Sequence, residues 1–216
     1  FSRQGRVENG VFLEDGVLYQ AEGGSVTPIL PISDIALPGM HNVENYMAAF
    51  AAVRGLVSAE TMDAVARSFH GVEHRIERIR VRRGVRWYND SIASSPSRTI
   101  AGLRSFTEKV ILIAGGKDKG ISYDAIGPEI NEHVKYLILC GATAGVIRES
   151  VQKAANYAGL PIREVQDYHE AVALADEVSG EGDVVILSPA STSFDRFANF
   201  MERGRVFKDI VNALPD

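Results

Sequence analysis

The 216-residue sequence has a single cysteine and a single tryptophan, and no apolar run approaching the ~18–20 residues that span a bilayer. Cys140 therefore has no intrachain disulfide partner, and its place in the run YLILC (136–140) reads as a buried, inert thiol. Of the five histidines, at positions 41, 70, 74, 133 and 169, only His70 and His74 have H-x-x-x-H spacing, and they straddle the Gly71 linker rather than share a helix face; no Cys/His cluster suggests a metal site. There is no G-x-S-x-G elbow, no Walker A loop and no G-x-G-x-x-G after a strand, which sets aside a serine-hydrolase triad, a self-contained P-loop and a dinucleotide fingerprint. Positive charge is not in excess. Lys and Arg total 23 against 28 Asp and Glu, a net charge of −5, which argues against a nucleic-acid backbone as partner. No signal peptide, repeat or low-complexity tract is evident. The reading is a soluble, cytoplasmic globular chain, and its start on Phe1 within a strand-like pattern leads us to expect a fragment.

What is present falls into two styles. Residues 6–35 read as short strands, with Asp15-Gly16 as a two-residue hairpin turn and Pro28, Pro31 and Pro38 breaking the connector that follows. From Asn42 the spacing turns helical, and a second helix is expected after the N-cap Ser58, running to about Phe69. Gly71 reads as a linker. Beyond it, two strands joined at Arg83-Gly84 lead into alternating apolar strands and amphipathic helices: a helix from Ser95-Pro96 to Phe106, strand 109–115, helix 123–133, strand 136–140, helix 144–158, strand 162–165, helix 168–178, strand 183–188 and helix 195–213. Continuous apolar strands between helices predict a mostly parallel sheet covered on both faces, with ligands beyond the carboxyl ends of its strands.

Three of those strand ends hold suggestive chemistry. GGKDKG (115–120) suits an anion, through backbone N–H groups and Lys117 or Lys119, and equally a tight solvated turn. SPASTSFD (188–195) sets Ser188, Ser191, Thr192 and Ser193 before a helix, as a carboxylate or phosphate site or as plain N-capping. Asp90 after its strand suits a ribose hydroxyl or a turn cap. On these grounds alone the chain is an α/β module with an anion-friendly rim.

Four segments, taken in order, say more: GMHNVENYMAA (39–49), GVEHRIE (71–77) continuing to WYNDSIASSP (87–96), AGGKDKG (114–120) and LSPASTSFDRFANFMERGRVF (187–207). Together they resemble the Mur ligase family, most closely its D-glutamate-adding branch. The resemblance implies a Rossmann-like amino-acid-binding C-terminal domain over residues 72–216, preceded by residues 1–71 as the tail of a P-loop ATPase-type central domain. It implies ATP-driven amide formation through an acyl phosphate in peptidoglycan synthesis, with ATP and Mg2+ as cofactors. D-glutamate and UDP-N-acetylmuramoyl-L-alanine are the implied substrates, and the implied enzyme is a monomer that closes at a hinge near Gly71. Lacking the P-loop, this chain alone is expected to be inactive.

Residue by residue, the resemblance places Asn45 near the adenine, Arg75 at the ATP phosphates and Asp90 at the ribose. Lys119 would hold one D-glutamate carboxylate, and Ser193 with the Phe194 backbone the other, at a helix N-terminus. Ser94 and Phe200 would complete the pocket. Arg75 and Lys119 are the implied catalytic residues, and no metal ligand is implied in this chain. Ile92 stands where many relatives have lysine, and Ser94 where they have threonine, with Lys117 nearby as a possible replacement charge. Two other readings remain at this point: a different amide ligase of the Mur or folylpolyglutamate type, and a non-catalytic nucleotide- or anion-binding module.

Overall fold

The computed structural model describes every residue except Pro38, His70 and Asp216. The connector proline at 38 and the histidine at 70 thus lie outside the described residues. The chain divides into two compact units, Phe1–Gly71 and Val72–Asp216.

In the first unit, β1 (Gly10–Glu14), β2 (Val17–Glu22) and β3 (Ser25–Pro31) form an antiparallel sheet in the order β1-β2-β3. Asp15 and Gly16 both take positive φ, 48° and 76°, which a two-residue hairpin turn of matching twist requires. The helices α1 (Met40–Ala52) and α2 (Ala59–Ser68) cover it. Val43, Met47 and Phe50 of α1 and Met62 and Ala66 of α2 are buried with Val11, Leu18 and Leu30 of the strands. Ser58 caps α2 as its sequence suggests, its hydroxyl accepting from the Thr61 N–H.

The second unit carries β4 (Glu77–Arg82), β5 (Val85–Asn89), β6 (Val110–Ala114), β7 (Val134–Cys140), β8 (Ile162–Val165) and β9 (Val184–Leu187). They form one sheet in the order β4-β5-β9-β6-β7-β8. Only the β4–β5 pair is antiparallel. Leu112 of β6 and Ile186 of β9 face a core with α3 (Pro96–Leu103), α4 (Ile126–His133) and α5 (Ala144–Lys153). Ile111, Ile113, Val185 and Trp87 face the opposite core with α6 (Tyr168–Val178) and α7 (Phe200–Asn212). This is the two-sided burial that the runs VILIA and VVIL require. It is an α/β, Rossmann-like arrangement.

Four helices are shorter than their sequence pattern predicts: α3 ends at Leu103 rather than Phe106, α4 begins at Ile126 rather than 123, and α5 and α7 differ by more. The helix expected over 144–158 ends at Lys153. The one expected over 195–213 begins at Phe200, because Asn199 accepts from the Glu202 N–H (2.9 Å) while Glu202 accepts from the Ala198 N–H (2.7 Å), a reciprocal cap that sets the start there.

Candidate functional site

The carboxyl ends of β5, β9 and β6 are neighbours in the sheet, and chain order reverses across them, the place where open α/β sheets leave a crevice. Three loops meet there: 90–95, 188–199 and 115–122.

The first loop fixes the peptide around Arg75. Asp90 is buried, 3% exposed, and its carboxylate accepts from Ser188 Oγ (2.8 Å) and from the Ile76 N–H (3.2 Å). Burial pushes its pKa up to about 7, against those two hydrogen bonds and the charges of Arg75 and Arg98. His74 and Ile76, on either side of Arg75, both take positive φ, 67° and 46°, a costly backbone for a β-branched residue. The hydrogen bonds around them hold it. The His74 N–H donates to Glu77 Oε2 (2.9 Å), and its carbonyl accepts from the Ile92 N–H (3.2 Å). Asn89 Nδ2 donates to His74 Nδ1 (2.8 Å), which leaves the ring proton on Nε2. Burial lowers the His74 pKa, so the ring is neutral. Arg75 itself projects into solvent between two tied residues.

The other two loops are joined to each other. Lys117 and Thr192 form an antiparallel bridge: the Lys117 N–H donates to the Thr192 carbonyl (2.9 Å), and the Thr192 N–H and Oγ1 both donate back (3.1 and 3.0 Å). Exposed Lys119 lies two residues beyond one side of this bridge, and buried Ser193 one residue beyond the other.

The glycines serve this closeness and not an anion cradle. The N–H groups of Gly115, Gly116, Lys117 and Gly120 are already given to Pro189 O, Thr143 Oγ1, Thr192 O and Asp118 Oδ1. A Cβ on Gly115 would overlap the Cys140 carbonyl, and one on Gly116 the Thr192 carbonyl. These four N–H groups are spent within the fold, so what the glycines contribute is close packing, while exposed Lys117 and Lys119 carry the loop's positive charge.

The helix-terminus reading of the serine-rich segment is corrected. Ser193 and Phe194 lie upstream of the Asn199 cap, in a turn where the Ser193 carbonyl accepts from the N–H groups of Arg196 and Phe197 (3.1 and 2.9 Å). Of the other hydroxyls, that of Ser188 serves Asp90, that of Thr192 serves Lys117, and that of Ser191 lies between Tyr123 Oη (2.9 Å) and Thr143 Oγ1 (2.8 Å).

Of the remaining anticipated residues, Ser94 is half-buried on the 90–95 loop and Phe194 is exposed. Phe200 stands edge-on to His74, ring centroids 6.0 Å apart, and its carbonyl accepts from Ser91 Oγ (2.8 Å). The second unit thus brings Arg75, Asp90, Ser94, Lys119, Ser193, Phe194 and Phe200 to one end of its sheet. Asn45 belongs to the first unit, exposed on α1, with Asn42 Oδ1 at 3.5 Å.

Sequence reasoning missed Arg203. This guanidinium is 1% exposed and makes three hydrogen bonds, from Nε to Ser91 Oγ (3.0 Å), from Nη2 to Ser91 O (2.8 Å) and from Nη1 to Ser191 O (3.0 Å). It ties the loop after β5 to the loop after β9. The available signal was its register, since Arg203, Phe207 and Val211 share one stripe of α7.

Glu73, His74 and Glu77 also converge, with one ligand-type atom of each within 4.8 Å of the others. Lys208 Nζ already bridges the two carboxylates, at 3.0 Å from Glu73 and 2.5 Å from Glu77, and His74 keeps its proton on the Glu73 side. The group is an ion-pair cluster.

Compared with known proteins, residues 74–191 match the family model described as the Mur ligase, glutamate ligase domain. The chain belongs to the Mur ligase family. It is 52% identical to the UDP-N-acetylmuramoylalanine–D-glutamate ligase of Acetivibrio thermocellus over 99% of this chain and 47% of that one. To the ligase of the same name from Symbiobacterium thermophilum it is 51% identical, over 93% of this chain and 44% of that one. The chain spans about half the length of the curated relatives it matches. Among solved Mur ligases, the UDP-N-acetylmuramate-alanine ligase of Thermotoga maritima superposes with a TM-score of 0.65 at 14% identity, over 94% of this chain and 46% of that one. Folylpolyglutamate synthase of Mycobacterium tuberculosis gives 0.64 at 15% identity, over 95% and 47%. At such identities these two likenesses show the fold alone. No helix among the described residues is long and apolar enough to cross a membrane.

Proposed function

We propose that this chain is the acceptor-binding part of an ATP-dependent ligase that joins D-glutamate to UDP-N-acetylmuramoyl-L-alanine in peptidoglycan synthesis. The observation that carries the reading is the identity of about half of all positions, over nearly the whole chain, to curated D-glutamate ligases. Residues 72–216 are the amino-acid-binding domain, and residues 1–71 the tail of a central ATPase domain.

A carboxylate resists attack by an amine until one of its oxygens becomes a good leaving group, and phosphorylation by ATP supplies that in the form of an acyl phosphate. The D-glutamate amine then adds to the acyl carbon, and the tetrahedral adduct expels phosphate. What the protein adds is positioning and positive charge. Arg75, presented by its tied neighbours, meets the transferring phosphoryl group. Asn45 lies at the adenine and Asp90 at the ribose, with lone-pair directions beyond those used by Ser188 and Ile76. Lys119 holds one carboxylate of D-glutamate, and Ser193 with the Phe194 backbone the other. Ser94 and Phe200 line the same pocket.

Magnesium would neutralise the phosphate oxygens when bound. The Glu73–His74–Glu77 cluster does not fit it, because Lys208 holds both carboxylates and magnesium takes oxygen ligands and water. Its ligands are assigned to the part of the enzyme that lies outside this chain. The enzyme is proposed to act as a cytoplasmic monomer on small molecules.

The test is ADP formation by the full-length enzyme with UDP-N-acetylmuramoyl-L-alanine, with D-glutamate, L-glutamate, L-lysine and diaminopimelate offered in parallel. Turnover with D-glutamate alone, lost at least ~100-fold in Lys119→Ala, is the expected result. Turnover with another amino acid would overturn the assignments of Lys119 and Ser193 while keeping the ligase chemistry.

A further inference from the structure

Lys119 is exposed on a loop that must hold it still if it is to select an acceptor, and the loop has a tie at each end. At its start, the Gly116 N–H donates to Thr143 Oγ1 (3.1 Å) and the Gly116 carbonyl accepts from the same oxygen (3.2 Å). At its end, Tyr123 Oη meets Ser191 Oγ (2.9 Å), which meets Thr143 Oγ1 (2.8 Å). Both ends of the segment 116–123 are thus tied to the same pair of hydroxyls, and Lys119 lies between them.

The direction of this chain follows from counting protons. Each hydroxyl has one to give. Thr143 gives its proton to the Gly116 carbonyl, the one acceptor here that has no proton of its own. Ser191 therefore donates to Thr143, and Tyr123 donates to Ser191. Tyr123, Ser191 and Thr143 are 3%, 1% and 1% exposed, so water does not compete for these bonds. Burial also raises the Tyr123 pKa, which keeps its proton in place as a donor. Ser191 and Thr143 flank the Lys117–Thr192 bridge, so the same chain spaces the Lys119 loop against the loop that carries Ser193.

We infer that Tyr123 is a positioning residue for the acceptor site, acting on Lys119 and Ser193 through Ser191 and Thr143. The inference rests on the proposed role of Lys119 and Ser193 in holding the acceptor. Tyr123→Phe is a clean probe, since the ring stays in the core beside Ile126 and Ile147 and only the end of the hydroxyl chain is lost.

The experiment is steady-state kinetics of the full-length enzyme with D-glutamate, together with hydrogen exchange at individual amides. Tyr123→Phe is expected to raise KM for D-glutamate roughly fivefold, the effect of losing one ordinary hydrogen bond, with kcat and KM for ATP unchanged. Ser191→Ala should do the same, and the double variant should be no worse than either single one. The amides of Gly116, Lys117 and Thr192 should exchange faster in Tyr123→Phe while those of Ile111–Ile113 keep their rates. An unchanged KM in an enzyme that uses D-glutamate, or an equal rise in KM for every substrate, overturns the inference and leaves the proposed function standing. A wild-type enzyme that forms no ADP with D-glutamate overturns the proposed function, and this inference with it.

Discussion

The imidazole of His74 lies so close to Gly204 of α7 that any Cβ there would overlap Nδ1 and Cε1 of the ring. The ring cannot retreat easily, because it is 3% exposed, bonded to Asn89 and fixed on a backbone of positive φ. Gly204→Ala should therefore cost about 1–3 kcal/mol of stability, as overpacking in a closed core does. Urea denaturation should show a lower midpoint at an unchanged slope, and a midpoint equal to wild type would mean that His74 gives way freely.

Asp90 makes stability depend on pH in an unusual sense. Unfolded, it titrates near ~3.9. Folded, it titrates at about 7, so between these values the folded state holds a proton that the unfolded state has released. Raising the pH across that window removes about 1.4 kcal/mol of stability per unit through this one group. His74, whose pKa burial lowers, acts in the opposite sense, so a comparison with Asp90→Asn isolates the carboxylate. The stability of Asp90→Asn relative to wild type should improve by roughly 2–4 kcal/mol between pH 4.5 and pH 7.5. A difference that stays flat over that range would show Asp90 to be ionised throughout.

Arg80 on β4 closes the end of α7. Its Nη1 donates to the carbonyls of Val211, Asn212 and Leu214, at 3.2, 3.2 and 2.8 Å, acceptors at and just beyond the helix C-terminus. Arg80→Ala should lower stability by about 2–3 kcal/mol and expose the last turn of α7 to proteases. Cleavage beyond Asp209 that is no faster than in wild type would assign the clamp no role.

Cys140 should be silent toward thiol reagents in the folded chain. It is 4% exposed, its Sγ donates to the Gln166 carbonyl (3.5 Å), and burial raises its pKa. Disulfide-exchange reagents should label it roughly 100-fold more slowly than in urea, at a rate that tracks opening. Labelling at the unfolded rate under native conditions would contradict its burial.

Much of the fold was legible in the sequence for a reason visible in particular residues. Asp15-Gly16 and Arg83-Gly84 sit where the backbone must take positive φ, and the runs at 110–114 and 184–187 are apolar because both faces are covered. The start of α7 was misread because the hydroxyl-rich segment before it resembles a cap, while the cap is made by Asn199 and Glu202 further on. The site residues were found by resemblance more than by pattern. Spacing alone could not reveal that the glycines of GGKDKG pack against carbonyls from β7 and the 190s loop, because those partners are remote in the chain. Arg203 and Tyr123 escaped for the same reason: a buried guanidinium or phenol is recognised by what surrounds it.

The position of β9 has a consequence for how the polypeptide is made. Of the six strands in its sheet it is the last to leave the ribosome, yet it lies between β5 and β6, which are finished some seventy residues or more earlier. Until residues 184–187 emerge, the hairpin of β4 and β5 has no parallel neighbour, and β6 keeps an open edge beside an apolar surface. The nascent domain must therefore wait, incomplete and in need of protection from association, and it closes in one late step that also brings Ser188, Ser191 and Ser193 to loops already synthesised.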